Sequence, residues 1–178
     1  DNPNQDGIGE IAVKAPTVML GYVNNPTATS EVIKDDWFYT GDLGYFDKDG
    51  FLFITGRKKD VIVLKNGKNI FPEELEILIN KIPYVAESMV YGKPLEDGDY
   101  KICAKIVYNT ETVNEMFPNI SKEDLYSKVW QDIKENVNHQ MPAYKYIREI
   151  LLTETPLIKT TTQKVKRHEE LKIILEGN

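Results

Sequence analysis

Val61-Ile62-Val63-Leu64-Lys65-Asn66-Gly67-Lys68-Asn69-Ile70-Phe71-Pro72-Glu73-Glu74-Leu75-Glu76 is the stretch on which the reading of the fold turns. Val61 to Leu64 and Asn69 to Phe71 bracket Lys65-Asn66-Gly67-Lys68, which reads as a hairpin with glycine available for a positive φ. Pro72 then takes a helix first-turn position, where its missing N–H costs nothing, and Glu73, Glu74 and Glu76 face the positive end of the helix dipole. Leu75, Leu78, Ile79 and Ile82 fall on one helical face, and Pro83 ends the run. A hairpin feeding a short amphipathic helix, with strands on either side, points to an α+β fold.

Working outward, Val85 to Tyr91 and Tyr100 to Tyr108 are strand-like and are joined by Gly92-Lys93-Pro94 and the acidic turn Glu96-Asp97-Gly98-Asp99. Ser121 with Asp124 three residues on resembles a capping box, with Asp in place of the usual Glu or Gln. Leu125, Val129, Ile133 and Val137 follow at four-residue spacing with Trp130 beside them, which predicts a helix ending before Pro142. Ile147 to Leu152 is a further strand, Pro156 to Gln163 a polar loop, and Arg167 to Leu175 a terminal helix. Towards the N-terminus, Ile8 to Leu20 is strand-forming with a break near Pro16, and Thr27 to Ile33 is a short helix after Asn24-Asn25-Pro26. Tyr45-Phe46 and Phe51 to Ile54 flank Asp47-Lys48-Asp49-Gly50, a second hairpin. A calcium loop is the alternative there, but the third acidic ligand and the distal glutamate are missing.

With 178 residues, 41% hydrophobic and 28% charged, the chain has the size and composition of one or two small globular domains. Its net charge of −6 gives no global attraction for a nucleic-acid backbone. A single cysteine, Cys103, excludes an intrachain disulfide and suggests no structural zinc, so a reduced cytoplasmic setting is expected. No apolar run approaches the roughly 20 residues that span a bilayer, so membrane contact, if any, is peripheral. The leader Asp1-Asn2-Pro3-Asn4-Gln5-Asp6 lacks signal-peptide regions. With no initiator methionine, the sequence reads as a piece of a longer chain.

Three constellations carry chemistry. In Trp37-Phe38-Tyr39-Thr40-Gly41-Asp42-Leu43, an acid after a glycine turn can accept two hydrogen bonds from a ribose diol, or simply cap the turn. In Gly56-Arg57-Lys58-Lys59-Asp60, three consecutive cations suit phosphates or a solvated basic turn. In Lys159-Thr160-Thr161-Thr162-Gln163-Lys164-Val165-Lys166-Arg167, a hydroxyl-rich cationic loop suits phosphate binding or a charged surface.

Taken together, Tyr39-Thr40-Gly41-Asp42, Gly56-Arg57-x-x-Asp60 and Gly67-x-x-Ile70-x-Pro72-x-Glu74-x-Glu76 resemble the C-terminal signature run of the adenylate-forming superfamily. That superfamily includes acyl-CoA synthetases, luciferases and the adenylation domains of peptide synthetases. Gly56 to Asp60 and Lys65 to Ile70 look most like long-chain fatty acid–CoA ligases. Met141-Pro142-x-Tyr144-Lys145 and the threonine-rich loop ending at Lys164 also match. The resemblance runs from Gly9-Glu10-Ile11 to Arg167.

It implies that residues 1–58 are the β-rich tail of a large N-terminal adenylation domain. Residues 59–178 would be the mobile C-terminal domain, a central mostly antiparallel sheet flanked by helices and preceded by a β-hairpin. Family members form an acyl-adenylate from ATP and a carboxylic acid, then transfer the acyl group to coenzyme A. By similarity, Asp42 holds the ribose hydroxyls of ATP or AMP, Arg57 contacts the ribose or phosphates, and Lys59 is the hinge. Gly67 and Asn69 guide the pantetheine, and Lys164 is the catalytic lysine. In the family the Ser/Thr/Gly-rich phosphate loop and the threonine–glutamate magnesium motif lie upstream. The resemblance therefore implies that Mg2+ is bound largely by the large domain, with no metal ligand here, and that this chain alone is inactive. One departure is Gln163, where the family usually places glycine. Alternatives are an adenylation domain loading a carrier-protein pantetheine, or a non-catalytic nucleotide-binding or interaction module. Unpaired strand edges leave a homodimer open.

Overall fold

The computed structural model describes residues 3–4 and 7–176. Asp1, Asn2, Gln5 and Asp6, four of the six leader residues, lie outside the described residues, as do Gly177 and Asn178. The chain divides between Val61 and Ile62 into two compact units.

In the first unit, β1 (Gly9–Val13) is followed by α1 (Pro26–Val32), β2 (Ile33–Lys34), β3 (Trp37–Phe46) and β4 (Leu52–Arg57). β3 is the centre of an antiparallel sheet and pairs with β1, β2 and β4. α1 forms because Asn25 caps it, its Oδ1 accepting from Ala28 N at 3.0 Å, while Pro26 fills the first turn. The strand expected over Ile8 to Leu20 stops at Val13, and the segment before Pro16 leaves the sheet. The β3–β4 connection is the turn read from Asp47-Lys48-Asp49-Gly50. Asp47 Oδ1 accepts from Asp49 N and Phe51 N at 2.9 and 2.8 Å, and Gly50 takes φ +83°. Asp47 therefore serves its own backbone. At Gly44 a Cβ would come within 2.5 Å of the Phe53 carbonyl oxygen, so the bulge between Leu43 and Gly44 requires glycine.

The second unit holds the core: among the described residues, all the buried hydrophobic side chains belong to it. β5 (Ile62–Val63) and β6 (Asn69–Ile70) form the expected hairpin, with Ile62 opposite Ile70 and Val63 opposite Asn69. α2 (Pro72–Ile79) follows directly. β7 (Val85–Pro94) and β8 (Tyr100–Tyr108) are antiparallel, then α3 (Thr110–Met116) and α4 (Lys122–Asn136) lead to β9 (Glu149–Thr153) and α5 (Arg167–Glu176). β9 runs parallel to β8, with Cys103 opposite Glu149. A parallel neighbour needs a long crossover, which α3 and α4 provide. α3 carries no apolar stripe long enough to announce it; Asn109 starts it by accepting from Thr112 N at 3.0 Å.

Strand alternation sends the sheet's residues to two faces. Val90, Ile102, Ala104 and Ile106 join Leu75, Ile79, Leu125, Val129 and Ile133 in the main core under α2 and α4. Met89, Tyr91, Cys103 and Val107 pack with Leu157, Val165, Leu171 and Ile174 in a smaller cluster that involves α5. The Cys103 thiol is buried there, and burial pushes it up to about 11.

Candidate functional site

In the first unit the strand pairing brings Asp42 and Arg57 together. They are cross-strand partners on β3 and β4, and Arg57 Nη1 donates to Asp42 Oδ1 at 2.7 Å. Gly41 sits at φ +72°, and its N–H donates to Glu10 Oε1 at 3.2 Å. Thr40 Oγ1 donates to the Ile11 carbonyl and accepts from Asp42 N, both at 3.0 Å. Asp42 is thus held by its own backbone and by a guanidinium while its carboxylate stays partly exposed. That is an acceptor able to take hydrogen bonds from a vicinal diol, with a cation alongside for an anionic group. Of the other cations in the turn, Lys58 is taken by Glu10 at 2.8 Å. Lys59 lies exposed in the 3₁₀ turn Lys58–Asp60, just before the boundary between the units.

In the second unit Gly67 occupies the turn between β5 and β6 at φ +80°, and no atom lies within 4 Å of where its Cβ would be. The conformation, not crowding, calls for glycine. The turn is tied down from several sides. Lys65 N and Tyr100 N both donate to Asp99 Oδ1, at 3.0 and 2.9 Å. These two backbone donors hold the Asp99 carboxyl below its ordinary value. Lys68 Nζ stands 4.3 Å from the centre of the Tyr144 ring, and Lys145 pairs with Glu74 at 2.6 Å. The Met141-Pro142-x-Tyr144-Lys145 motif therefore braces the hairpin and the first turn of α2. Asn69 is half-buried at the hairpin's end.

Lys164 lies on a loop that the structure pins at both ends. Lys159 and Val165 form an isolated antiparallel bridge, and Thr160 N donates to the Lys164 carbonyl at 2.9 Å. Lys164 N donates to Thr160 Oγ1 at 3.2 Å, so the threonine-rich stretch folds back on itself as a small turn. Gln163 stands at φ +63°, the left-handed region that glycine prefers, in the position where glycine was expected. The other cations of the loop are engaged: Lys159 with Glu87, Lys166 with Glu169 and Arg167 with Glu76. Among the described residues, the exposed Lys164 ammonium alone of these four has no carboxylate partner.

Sequence reasoning assigned Glu74 and Glu76 to the helix dipole, and the structure gives them tertiary roles as well. Glu76 Oε1 accepts from Val90 N at 2.7 Å and its Oε2 takes Arg167 Nη2, joining α2, β7 and the start of α5. Glu87 and Glu170, which hold the Lys164 loop, were missed; they carry no local pattern, because their partners lie 12 to 72 residues away. Among the described residues, no cluster of three or more His, Cys, Asp or Glu is placed to hold a metal, and no helix is long and apolar enough to cross a membrane.

Comparison with known proteins follows the same lines. The 2-succinylbenzoate–CoA ligase of Geobacillus sp. (strain WCH70) is 32% identical over 170 residues, 96% of this chain and 31% of that protein. The long-chain-fatty-acid–CoA ligase of Bacillus subtilis is 46% identical over 86 residues, 48% of this chain and 15% of that protein. Among solved structures, o-succinylbenzoate CoA synthetase from Bacillus subtilis with its acyl-adenylate intermediate matches with TM-score 0.74 and 28% identity, over 96% of this chain and 31% of that one. The same enzyme has been solved with ATP and magnesium ion. The chain thus spans under a third of the length of these relatives. The family model described as the AMP-binding enzyme C-terminal domain matches residues 59–173. This chain belongs to the AMP-binding enzyme C-terminal domain family.

Proposed function

We propose that this chain is the C-terminal part of an AMP-forming acid–thiol ligase that activates a long-chain fatty acid and passes it to coenzyme A. The observation that carries the reading is Lys164, an exposed and uncommitted ammonium on a loop whose neighbouring cations are all tied to carboxylates. When a carboxylate approaches a phosphate, their repulsion at ~4 Å is about 4 kcal/mol at an effective dielectric near 20. A lysine held between them offsets that repulsion where the bond forms.

Asp42 and Arg57 suit the other end of the nucleotide, with the carboxylate accepting from the ribose hydroxyls and the guanidinium beside the phosphates. ATP and Mg2+, with which the Bacillus subtilis synthetase has been solved, would be held here largely by a preceding domain. Residues 1–58 are read as the tail of that domain and residues 59–178 as the mobile C-terminal domain, with Lys59 as hinge. After adenylation this domain turns, withdrawing Lys164 and presenting Gly67 and Asn69 to the pantetheine. Glycine without a side chain lets backbone approach that thin chain closely. By itself the chain is expected to be inactive. A cytoplasmic setting, peripheral membrane contact and association of two copies through open strand edges belong to the same reading.

The full-length protein, given ATP, magnesium, coenzyme A and a panel of acids, should release AMP and form thioester fastest with long-chain fatty acids. The broad match to 2-succinylbenzoate–CoA ligase favours a second substrate, a succinyl-substituted aromatic acid, which belongs in the panel. Preference for that acid would replace the fatty-acyl assignment, and acyl transfer to a carrier protein in place of coenzyme A would replace the acceptor. Absence of AMP release with every acid would remove the ligase reading.

A further inference from the structure

The loop carrying Lys164 begins with two successive peptide N–H groups, and each donates to a carboxylate. Leu157 N donates to Glu87 Oε2 at 2.9 Å, and Ile158 N donates to Glu170 Oε1 at 2.6 Å. Glu170 is the more deeply set. Its other oxygen meets Lys105 Nζ at 2.7 Å, and the two side chains are 1% and 10% exposed.

The placement follows from β8. Cys103, Lys105 and Val107 alternate onto the face that involves α5, so Lys105 rises into an otherwise apolar layer. Glu170 lies in the first turn of α5, where its own N–H donates to the Lys166 carbonyl at 3.1 Å. Lys166 N in turn donates to the Ile158 carbonyl at 2.8 Å. Ile158, Lys166 and Glu170 thereby close a ring of hydrogen bonds across the base of the loop, and Lys164 stands at its outer end.

A buried ion pair is a poor way to gain stability, since apolar side chains of similar volume often serve as well or better. An apolar side chain cannot, however, accept the Ile158 N–H. We propose that Glu170 is a positioning residue for Lys164. Its carboxylate fixes the entry of the loop onto α5, with Lys105 as the counter-charge that lets it be buried. The proposal rests on the reading of Lys164 given above. Displacement of a reacting group by about 1 Å can cost on the order of 10²-fold in rate. Loosening the base of the loop should therefore appear in the chemical step that Lys164 serves.

The test uses the full-length enzyme and two neutral double variants, Lys105→Met/Glu170→Gln and Lys105→Met/Glu170→Met. Both remove the buried charges, but only the glutamine keeps an oxygen able to accept from Ile158. Thermal midpoint, adenylate formation and thioester formation from a supplied acyl-adenylate are measured for each. The glutamine variant should form adenylate within about threefold of wild type. The methionine variant should stay folded, keep thioester formation within about twofold and lose roughly 10- to 100-fold in the kcat of adenylation, with KM for ATP little changed. Equal adenylation by the two variants would overturn the proposal. So would equal loss in both half-reactions, or failure of the methionine variant to fold, which would make Glu170 a core-building residue. Lys164→Ala is run alongside. If it adenylates normally, the reading of Lys164 falls; if it is slow while the methionine variant is normal, only the role of Glu170 falls.

Discussion

At the residue scale, Gln163 and Gly67 solve the same backbone problem in different ways. Both sit at positive φ, +63° and +80°, immediately before a lysine. Glycine adopts that region without strain, whereas a side-chain-bearing residue pays on the order of 1–2 kcal/mol. Gln163→Gly relieves that strain but loosens the unfolded chain by about 0.4–1 kcal/mol, so chemical denaturation should show anything from no change to a gain of about 1.6 kcal/mol. Gln163→Val should destabilise, because glutamine already bears the ordinary left-handed cost and a β-branched side chain is a rarer outlier there still. A valine variant as stable as wild type would mean that this turn does not hold a left-handed residue. The turn at Gly67 was legible because Asn-Gly between apolar runs is a local signal. The left-handed Gln163 was not, because nothing in a glutamine announces that conformation.

At the element scale, α4 shows how far a local pattern reaches. Its cap and stripe were both readable: Ser121 Oγ accepts from Asp124 N at 3.1 Å, and Leu125, Val129 and Ile133 are buried. The aspartate does not reproduce a full capping box, since it accepts from the Ser121 hydroxyl at 2.8 Å. Ser121→Ala should cost about 1 kcal/mol in unfolding experiments. The sheet behind α4 was less legible. Its strands announce themselves by β-branched residues, but the parallel register of β8 with β9 depends on a long crossover that no short window reveals.

That register also sets Glu149 between Lys101 and Lys93, at 2.7 and 3.0 Å. Hydrogen bonds from Lys101 first, then Lys93, hold the Glu149 carboxyl below its ordinary 4.5. A lowered folded-state value means that this stabilisation is complete above about pH 4.5 and is lost as the pH falls through the folded-state value. Lys101 is shifted the opposite way, upward, chiefly by the same hydrogen bond, so its share is complete below 10.5 and fades at higher pH. Glu149→Gln should therefore lower stability at pH 7, with the gap to wild type closing below pH 4.5. A gap that stays constant on acidification would show that the charge of Glu149 contributes nothing.

At the scale of the whole molecule, the proposed cycle needs one domain to present two different surfaces in turn, a lysine loop and a glycine hairpin. The sequence made both surfaces readable through resemblance. The carboxylates that hold the lysine loop needed three dimensions, because Glu87 and Glu170 approach it from β7 and α5. Lys59 lies in a 3₁₀ turn three residues before Ile62, where the second unit begins. Lys59→Pro in the full-length enzyme would fix φ there and restrict Lys58 before it. If Lys59 is the hinge, adenylate formation should survive while thioester formation from supplied acyl-adenylate falls by tenfold or more. An unaffected second half-reaction would place the hinge elsewhere.

The central claim is that Lys164 shields two like-charged reactants in the first half-reaction and is absent from the second. The measurement that tests it most directly compares Lys164→Ala with wild type in the two half-reactions of the intact enzyme, by rapid quench. Loss of one preorganised donor of this kind commonly costs ~10²–10³ in rate. Adenylate formation should fall by that factor, with thioester formation from a supplied acyl-adenylate within about twofold of wild type. Equal losses in both steps, or no loss in the first, would contradict the account.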